Sequence, residues 1–312
     1  MGKLYLGTQE ITPFIYDKVE SAGIPREISN SNALVIPSTE FTYSVPEEAT
    51  TIGLNALIYA FYESTGLKSI STSNVTDLGM SAMERACYSC TNLETVLFPE
   101  LTSITGSSAL AYAFYGCTAI TSVSFPKLVT IGTNSTNYTF GNTFSGCTSL
   151  ASVSFPELKT VNGANNMYTF KGTALTTVNF PKLEKSGALY GWFQNCTSLT
   201  SANFPELIEA KNQCFQVAFS GCSSLTTVSL PKLKTLGTSS TFQNAFNNCT
   251  SLATLSFPAL TSPGANGSWQ NMLYGCSNVT VHFPSAMQST MGSWANVTGG
   301  FGGTNTTVLF DL

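Results

Sequence analysis

The stretch GCTSLASVSFPELKTV (Gly146 to Val161) decides the fold, because close copies of it recur along the chain. Consecutive copies place their proline 24 to 30 residues apart. Two degenerate copies, at Ser73 and Pro46, complete ten registers between about residue 40 and residue 284. The repeat prolines are Pro99, Pro126, Pro156, Pro181, Pro205, Pro231, Pro258 and Pro284.

Apolar residues recur at fixed positions of each copy, so a stack of copies would bury them in columns. One repeat is too small to bury such residues alone, whereas stacked repeats can. The segment L-x-x-V-x-F before the proline is rich in β-branched and aromatic residues at period two, which predicts a short strand. Strands of successive coils would then pair in parallel, roughly 4.8 Å apart. The leucine column is Leu67, Leu93, Ile120, Leu150, Leu175, Leu199, Leu225, Leu252 and Val279.

A second apolar residue recurs four positions before the core phenylalanine, as Leu110 does before Phe114 and Phe215 before Phe219. A spacing of four predicts a single helical or 3₁₀ turn with one inward face. Each coil is therefore predicted to contain a strand, a proline corner, a short extended piece, a loop and a helical turn.

The pattern A-F-x-x-C-x-x-L-x-x-V-x-x-P, as in Ala113 to Pro126 and Ala218 to Pro231, resembles the BspA-like, or Treponema pallidum-type, leucine-rich repeat. The resemblance covers about 245 of the 312 residues. It implies a leucine-rich repeat solenoid of the α/β type that is mostly β, a right-handed coil with a parallel β-sheet and about ten coils. Members of this family are mostly surface or secreted binding proteins of bacteria and some protists.

The repeats divide the chain into three predicted segments. Residues 1–38 are expected to form an N-terminal cap or attachment segment, 39–284 the solenoid, and 285–312 a C-terminal cap. Caps of this kind shield an otherwise exposed sheet edge. The start GKLYLGTQEI and the end TNTTVLFDL are similar to leucine-rich proteins encoded in prophages of gut Firmicutes.

The composition excludes several classes of protein. Only 10% of the residues are charged, against about 25% in ordinary soluble domains. The net charge of −4 leaves no basic footprint for a nucleic acid. Apolar runs such as Ala56 to Phe61 fall far short of the roughly 20 residues of a membrane span. The N-terminus lacks the apolar stretch of a signal peptide.

Seven of the nine cysteines occupy one repeat position. Thiols arranged in a line cannot converge on a tetrahedral metal ion. An odd total, with one cysteine in each coil, argues against a disulfide framework. We therefore predict a column of small buried thiols, no metal site, and folding in a reducing cytoplasm. The column is Cys90, Cys117, Cys147, Cys196, Cys222, Cys249 and Cys276.

Motifs for catalysis are missing from the sequence. The single histidine, His282, continues a polar column of the repeat, and no Ser/His/Asp arrangement can be built around it. No phosphate-binding loop or H-E-x-x-H motif occurs. We predict no catalytic residue, no cofactor and no enzyme activity.

Two further columns carry chemistry on the surface. The residue after the repeat proline alternates in charge through six coils, which predicts pairing between neighbouring coils. Tyr62, Tyr88 and Tyr115 directly follow Phe61, Cys87 and Phe114, which share one apolar position of the repeat, and are expected to stack into a surface strip. The charged column is Glu100, Lys127, Glu157, Lys182, Glu206 and Lys232.

The outward positions of the predicted strands are small and polar, and they form the candidate binding face. A long, shallow and neutral face suits an extended protein or glycan ligand rather than a small molecule, which needs a concave pocket. The first hypothesis is an adhesion or recognition module on a bacterial cell surface or phage particle. The alternative is a structural virion component, anchored or assembled into a homo-oligomer through residues 1–38. The candidate residues are Thr121, Ser122, Ser124, Ser152, Ser154, Thr177, Asn179, Ser201, Asn203, Thr227 and Ser229.

Overall fold

A computed structural model describes residues 3–6, 9–11, 40–45, 47–133, 138–163, 165–187, 189–295 and 300–312. Within these residues the chain is a β-solenoid with little helix. Most coils contribute one segment to each of three stacks, which we name the strand ladder, the corner ladder and the turn ladder. The fold class predicted from the repeats is confirmed.

The strand ladder consists of the segments that precede the repeat proline. Its strands form three hydrogen-bonded sheets, divided between Ser152–Ser154 and Thr177–Asn179 and again between Thr227–Ser229 and Thr254–Ser256. Within each sheet successive strands of the ladder pair in parallel, as Val123 pairs with Val153 and Val178 with Ala202. The inward residue of each strand is mostly buried and the flanking residues face outward, as a period of two requires. The strands are Phe41–Ser44, Leu67–Ser71, Thr95–Leu97, Ser122–Ser124, Ser152–Ser154, Thr177–Asn179, Ser201–Asn203, Thr227–Ser229, Thr254–Ser256, Thr280–Phe283 and Thr307–Phe310.

The corner ladder consists of two-residue strands that follow the proline corner, again in parallel register. In each strand the second residue is buried and the first is half-buried or exposed. These strands are Thr51–Ile52, Asp77–Leu78, Ser103–Ile104, Thr130–Ile131, Thr160–Val161, Lys185–Ser186, Glu209–Ala210 and Thr235–Leu236.

The turn ladder takes a form that the sequence did not predict. In most coils it is a run of hydrogen-bonded turns, and a 3₁₀ helix forms in one described coil, at Asn266–Trp269. A positive φ recurs every four residues, at 54° for Asn55, 55° for Tyr59 and 56° for Glu63. This recurrence turns Leu57 and Phe61, four residues apart, towards the interior. The spacing of four thus reflects successive turns, each with a positive φ at its third residue.

Hydrogen bonds across the turn ladder explain why a helix does not form there. Alternate N–H groups donate to the next coil, as Leu57 does to the carbonyl of Ala82 at 2.8 Å and Phe61 to that of Ala86 at 2.7 Å. The intervening N–H groups close turns within the coil, as Ala60 does to Leu57 at 3.1 Å. Every backbone donor needs a partner, and a helix would use internally the groups that here join one coil to the next.

The interior is filled by the predicted columns. Phe114 and Phe144 stack at 5.3 Å between ring centroids, and Phe180 and Phe204 at 5.3 Å. The leucine column is buried throughout. The four aromatic residues of the turn ladder that periodicity assigned to the core are also buried: Phe140, Phe215, Phe242 and Trp269.

Both ends of the chain contribute to the strand ladder. The strands Lys3–Leu6 and Gln9–Ile11 pair in antiparallel, and the first of them also pairs in antiparallel with Phe41–Ser44. The rest of the predicted segment 1–38 lies outside the described residues. At the other end, a 3₁₀ turn at Ser285–Met287 and the helix Gln288–Ala295 precede Thr307–Phe310, which pairs in parallel with Thr280–Phe283.

Candidate functional site

The candidate binding face lies on the strand ladder, where its residues stand in register. Ser122 is opposite Ser152, and Ser124 is opposite Ser154. A second group aligns Thr177 with Ser201 and Thr227, and Asn179 with Asn203 and Ser229. Thr121 precedes its strand and is exposed. All eleven side chains are exposed or half-buried.

Two rows of hydroxyl and amide groups therefore run along this face. Asn203 donates from Nδ2 to Oδ1 of Asn179 at 3.0 Å, so the amides also bond along the row. Towards the N-terminal coils the row meets Leu97, whose side chain is 50% exposed. Towards the C-terminal coils it continues through Ser256 and reaches His282. The face offers many hydrogen-bonding groups and no formal charge among the eleven residues.

His282 serves the last coils structurally. Its Nδ1 lies 2.9 Å from Oδ1 of Asp311. This contact joins the strand Thr280–Phe283 to the residue after Thr307–Phe310. The prediction that His282 continues a polar column is consistent with its pairing opposite Ser256.

The cysteine column connects consecutive coils. Each Sγ lies 2.8 to 3.1 Å from a backbone carbonyl oxygen of the preceding coil, as Cys222 does from Phe193 and Cys276 from Phe246. Burial raises the pKa of the thiols of Cys117, Cys147, Cys196, Cys222, Cys249 and Cys276, to about 12 for Cys147. A protonated thiol is a weak donor, and here it gives a second hydrogen bond to a carbonyl that already accepts an N–H.

The charged column forms three ion pairs in which each lysine contacts the glutamate of the preceding coil. The Nζ to Oε2 distance is 2.6 Å for Lys127 and Glu100, 2.6 Å for Lys182 and Glu157, and 2.7 Å for Lys232 and Glu206. All six side chains are well exposed, so each pair adds only modestly to stability.

A cleft opens between the corner ladder and the loops that follow it. Its volume is about 520 Å³. Glu209 and Lys211 supply its charges, while Thr235, Gly237 and Asn162 supply polar and backbone groups. This cleft could not be predicted from the repeat pattern, because it lies where the loops between repeats differ in length. Among the described residues no cluster of three or more histidine, cysteine or acidic side chains could hold a metal ion.

The predicted tyrosine strip lies on the outer surface of the turn ladder. Tyr62, Tyr88 and Tyr115 stack with centroids 4.9 and 4.8 Å apart and ring planes within 9°. A parallel row places the guanidinium of Arg85 over the rings of two further tyrosines, at 5.6 Å from Tyr59 and 4.9 Å from Tyr112. This second row was not predicted from the sequence.

The model of the BspA type leucine rich repeat region matches residues 39–141, 110–240 and 166–295, which together span most of the chain. The protein belongs to this family. BspA-type repeat proteins are typically non-enzymatic recognition modules. In this chain the copies of the BspA-type repeat form the coils that build the three ladders. None of the curated proteins compared with the chain matches it.

Several solved structures are similar to this BspA-type solenoid. A leucine-rich repeat protein from Bacteroides ovatus is 20% identical with a TM-score of 0.40, over 85% of this chain and 77% of that one. The Treponema pallidum leucine-rich repeat protein is 19% identical with a TM-score of 0.39, over 68% and 83%. A leucine-rich cell surface protein from Faecalibacterium prausnitzii is 16% identical with a TM-score of 0.33, over 86% and 90%.

The helices of the structure are all short. Within the described part of the chain none has the length and apolar character needed to cross a bilayer.

Proposed function

We propose that this protein is a non-enzymatic adhesion or recognition module that binds an extended protein or glycan ligand along the strand ladder. The observation that carries the proposal is the alignment of uncharged hydroxyl and amide side chains, such as Thr177, Ser201 and Thr227, across consecutive coils. Rows of this kind repeat a hydrogen-bonding group every roughly 4.8 Å. A polymer with a regular backbone can satisfy many such groups at once.

The low charge of the face bears on how such a module would work. Unsteered association is slow compared with association between oppositely charged surfaces. Many weak contacts become a strong attachment when several copies bind together. Display in many copies on a bacterial cell surface or a phage particle therefore fits the chemistry of the face.

The experiment compares multivalent forms of the full chain on arrays of glycans and surface proteins. The test variant carries Thr177→Lys and Thr227→Lys, which place long charged side chains on the face. The matched control is Thr238→Lys, at an exposed position beside the cleft. We expect binding by the wild-type and control proteins, and a loss of at least about tenfold in apparent affinity for the face variant.

Two results would argue against this function. One is the absence of any ligand even when the protein is presented at high valency. The other is equal binding by the face variant and the control. A particle component assembled through residues 1–38 would instead give a defined multimer in light scattering, which deletion of that segment would abolish.

A further inference from the structure

The tyrosine patch is the most distinctive part of an otherwise uniform surface. It comprises Tyr59, Tyr62, Arg85, Tyr88, Tyr112 and Tyr115, on three consecutive coils, and all six side chains are half-buried. Two strongly exposed apolar side chains, Leu54 and Met80, lie on the same coils. In the later described coils the position of Tyr62 is occupied by Ser145, Lys171, Gln194, Ser220, Asn247 and Tyr274, so three consecutive tyrosines do not recur there. Tyrosine, arginine and methionine are the residues that interfaces favour.

The patch is held in place before any ligand arrives. Arg85 Nη1 donates to the hydroxyl of Tyr59 at 2.9 Å and to Oε1 of Glu84 at 2.9 Å. Glu84 in turn accepts a hydrogen bond from Ser81 Oγ at 2.9 Å. Because these side chains are already held by hydrogen bonds, they would lose little conformational entropy when a partner binds. Such preorganised aromatic side chains are typical of binding hot spots.

The stacking determines which parts of the rings a partner can reach. The faces of Tyr62, Tyr88 and Tyr115 cover one another inside the stack, which leaves ring edges and hydroxyl groups at the surface. The stack ends at Tyr115, because Ser145 occupies the matching position of the next coil. The next coil therefore places no ring on the outer face of Tyr115, which we call its open face. An aromatic face attracts cations, and Arg85 already uses two tyrosine faces of this patch in that way.

The net charge of the surrounding coils indicates the sign of charge expected on the partner. Residues 40–100 contain eight acidic and two basic side chains, a net charge of −6, whereas residues 101–312 contain five acidic and eight basic ones, a net charge of +3. Glu63 is exposed beside Tyr62. Burial is the main cause of the raised pKa of Tyr62, and the negative charge of the Glu63 carboxylate is the next. The acidic coils would attract a basic partner at a distance, while the rings bind it at contact.

We propose that the tyrosine patch is a docking surface for a cationic, amphipathic polypeptide segment of another protein. Its lysine or arginine side chains would contact the tyrosine hydroxyls, the open face of Tyr115 and Glu63. Its apolar side chains would cover Leu54 and Met80. The surface belongs to the turn ladder and the first coils, so this inference and the ligand of the strand ladder stand or fall separately.

The test uses substitutions to residues that other coils already have at the tyrosine position. The position of Tyr62, Tyr88 and Tyr115 is occupied by Ser145 and Ser220 in other coils, so the triple variant Tyr62→Ser, Tyr88→Ser, Tyr115→Ser places a residue that the turn ladder already accepts. The matched control is Tyr274→Ser, at the same position of a later coil, where the tyrosine is 58% exposed. Circular dichroism melts of both variants are the check that each of them folds.

The probes are two short labelled peptides, one alternating lysine with leucine and one alternating glutamate with leucine, titrated with the full chain by fluorescence anisotropy. We expect the lysine peptide to bind the wild-type protein and the Tyr274→Ser control equally. We expect the triple variant to bind it at least about tenfold more weakly. Glu63→Gln leaves every ring in place and should weaken binding at low salt while flattening its dependence on salt.

Four results would overturn the proposal. They are no binding of the lysine peptide at low salt, equal binding of the glutamate peptide, equal affinity of the triple variant and the control, and no effect of Glu63→Gln at low salt. Self-association of the wild-type chain that the triple variant abolishes would identify a second copy as the occupant, and would also contradict the proposal. If the triple variant does not fold, the Glu63→Gln titration and the comparison of the two peptides decide the question.

Discussion

The Sγ atom of Cys222 lies 3.0 Å from the carbonyl oxygen of Phe193 in the preceding coil. The same carbonyl accepts the N–H of Cys196 at 3.1 Å. One oxygen therefore receives a donor from each of two coils. The thiol has to be protonated to donate, and burial raises the pKa of Cys222 in accordance with this role.

The raised thiol pKa values predict a loss of stability at alkaline pH. Cys147 has a reference pKa of 9.0 and a folded-state pKa of about 12, so between these values the unfolded chain releases a proton that the folded chain keeps. Each such thiol lowers the free energy of unfolding by up to about 1.4 kcal/mol per pH unit in this range. Below pH 9 the contribution is fully present and independent of pH.

Denaturant melts of the wild-type protein and of Cys147→Thr across this pH range test the prediction. Threonine replaces the cysteine at Thr173 and bonds to the carbonyl of Phe170 at 2.9 Å, so the fold accepts it. The variant should lose stability less steeply as the pH rises. Identical slopes for the two proteins would show that Cys147 does not titrate in this way. Lysine and tyrosine also titrate here, and the comparison cancels their contribution.

The phenylalanine stack predicts a large cost for truncation. Phe219 is fully buried between Phe193 and Phe246, with centroids 5.4 and 5.5 Å away. Phe219→Ala should lower the free energy of unfolding by about 3–5 kcal/mol, because it leaves a cavity and removes both ring contacts. Thr227→Ala, on the exposed strand face, should cost little. Urea melts of both variants give the comparison, and similar losses would argue against the assigned burial.

The ion pairs predict a salt-dependent effect of charge reversal. Lys182→Glu places Glu157, the new glutamate and Glu206 on three consecutive coils. It removes the 2.6 Å contact with Glu157 and introduces repulsion of roughly 0.2–1 kcal/mol for each adjacent pair. The melting temperature should fall at low salt and recover in high salt. Lys182→Gln, which removes attraction alone, should show a smaller drop, and equal drops would exclude repulsion as the cause.

The close approach of two glycines predicts a steric effect on coil spacing. A Cβ on Gly106 would lie 2.1 Å from the carbonyl carbon of Gly79, whereas a Cβ on Gly53, at the same position of an earlier coil, would meet nothing within 4 Å. Gly106→Ala should therefore lower the free energy of unfolding by about 1–3 kcal/mol. Gly53→Ala should be close to neutral. Thermal melts of the pair test this, and equal stability would mean that the coils are further apart than described.

The sequence predicted the columns better than the shape of the backbone between them. Leu150, Leu199 and Leu252 lie in one buried column because a residue repeated at a fixed period in stacked coils has to meet its own copies. The turn ladder was assigned to a helical turn because a spacing of four suits both a helix and a chain of turns. A signal was available, since Gly116, Gly146 and Gly221 precede the column cysteine, and all three have a positive φ.

The surface was harder to predict than the core. The outward rows of the strand ladder follow directly from a period of two. The stack of Tyr62, Tyr88 and Tyr115 follows from their shared repeat position. The placement of Arg85 between Tyr59 and Tyr112 does not follow from the repeat, because it depends on the conformation of a long side chain that contacts both neighbouring coils. The cleft beside Lys211 depends on loop lengths that vary from coil to coil.

The three lysine–glutamate pairs also limit how a chain of this kind can change in length. Removing the single coil that carries Lys182 would bring Glu157 beside Glu206, whereas removing that coil together with the one before it would bring Lys127 beside Glu206. Shortening by two coils thus keeps opposite charges adjacent, and shortening by one does not. Although the backbone repeats every coil, its electrostatic period is twice as long, so viable deletions and duplications should come in even numbers of turns.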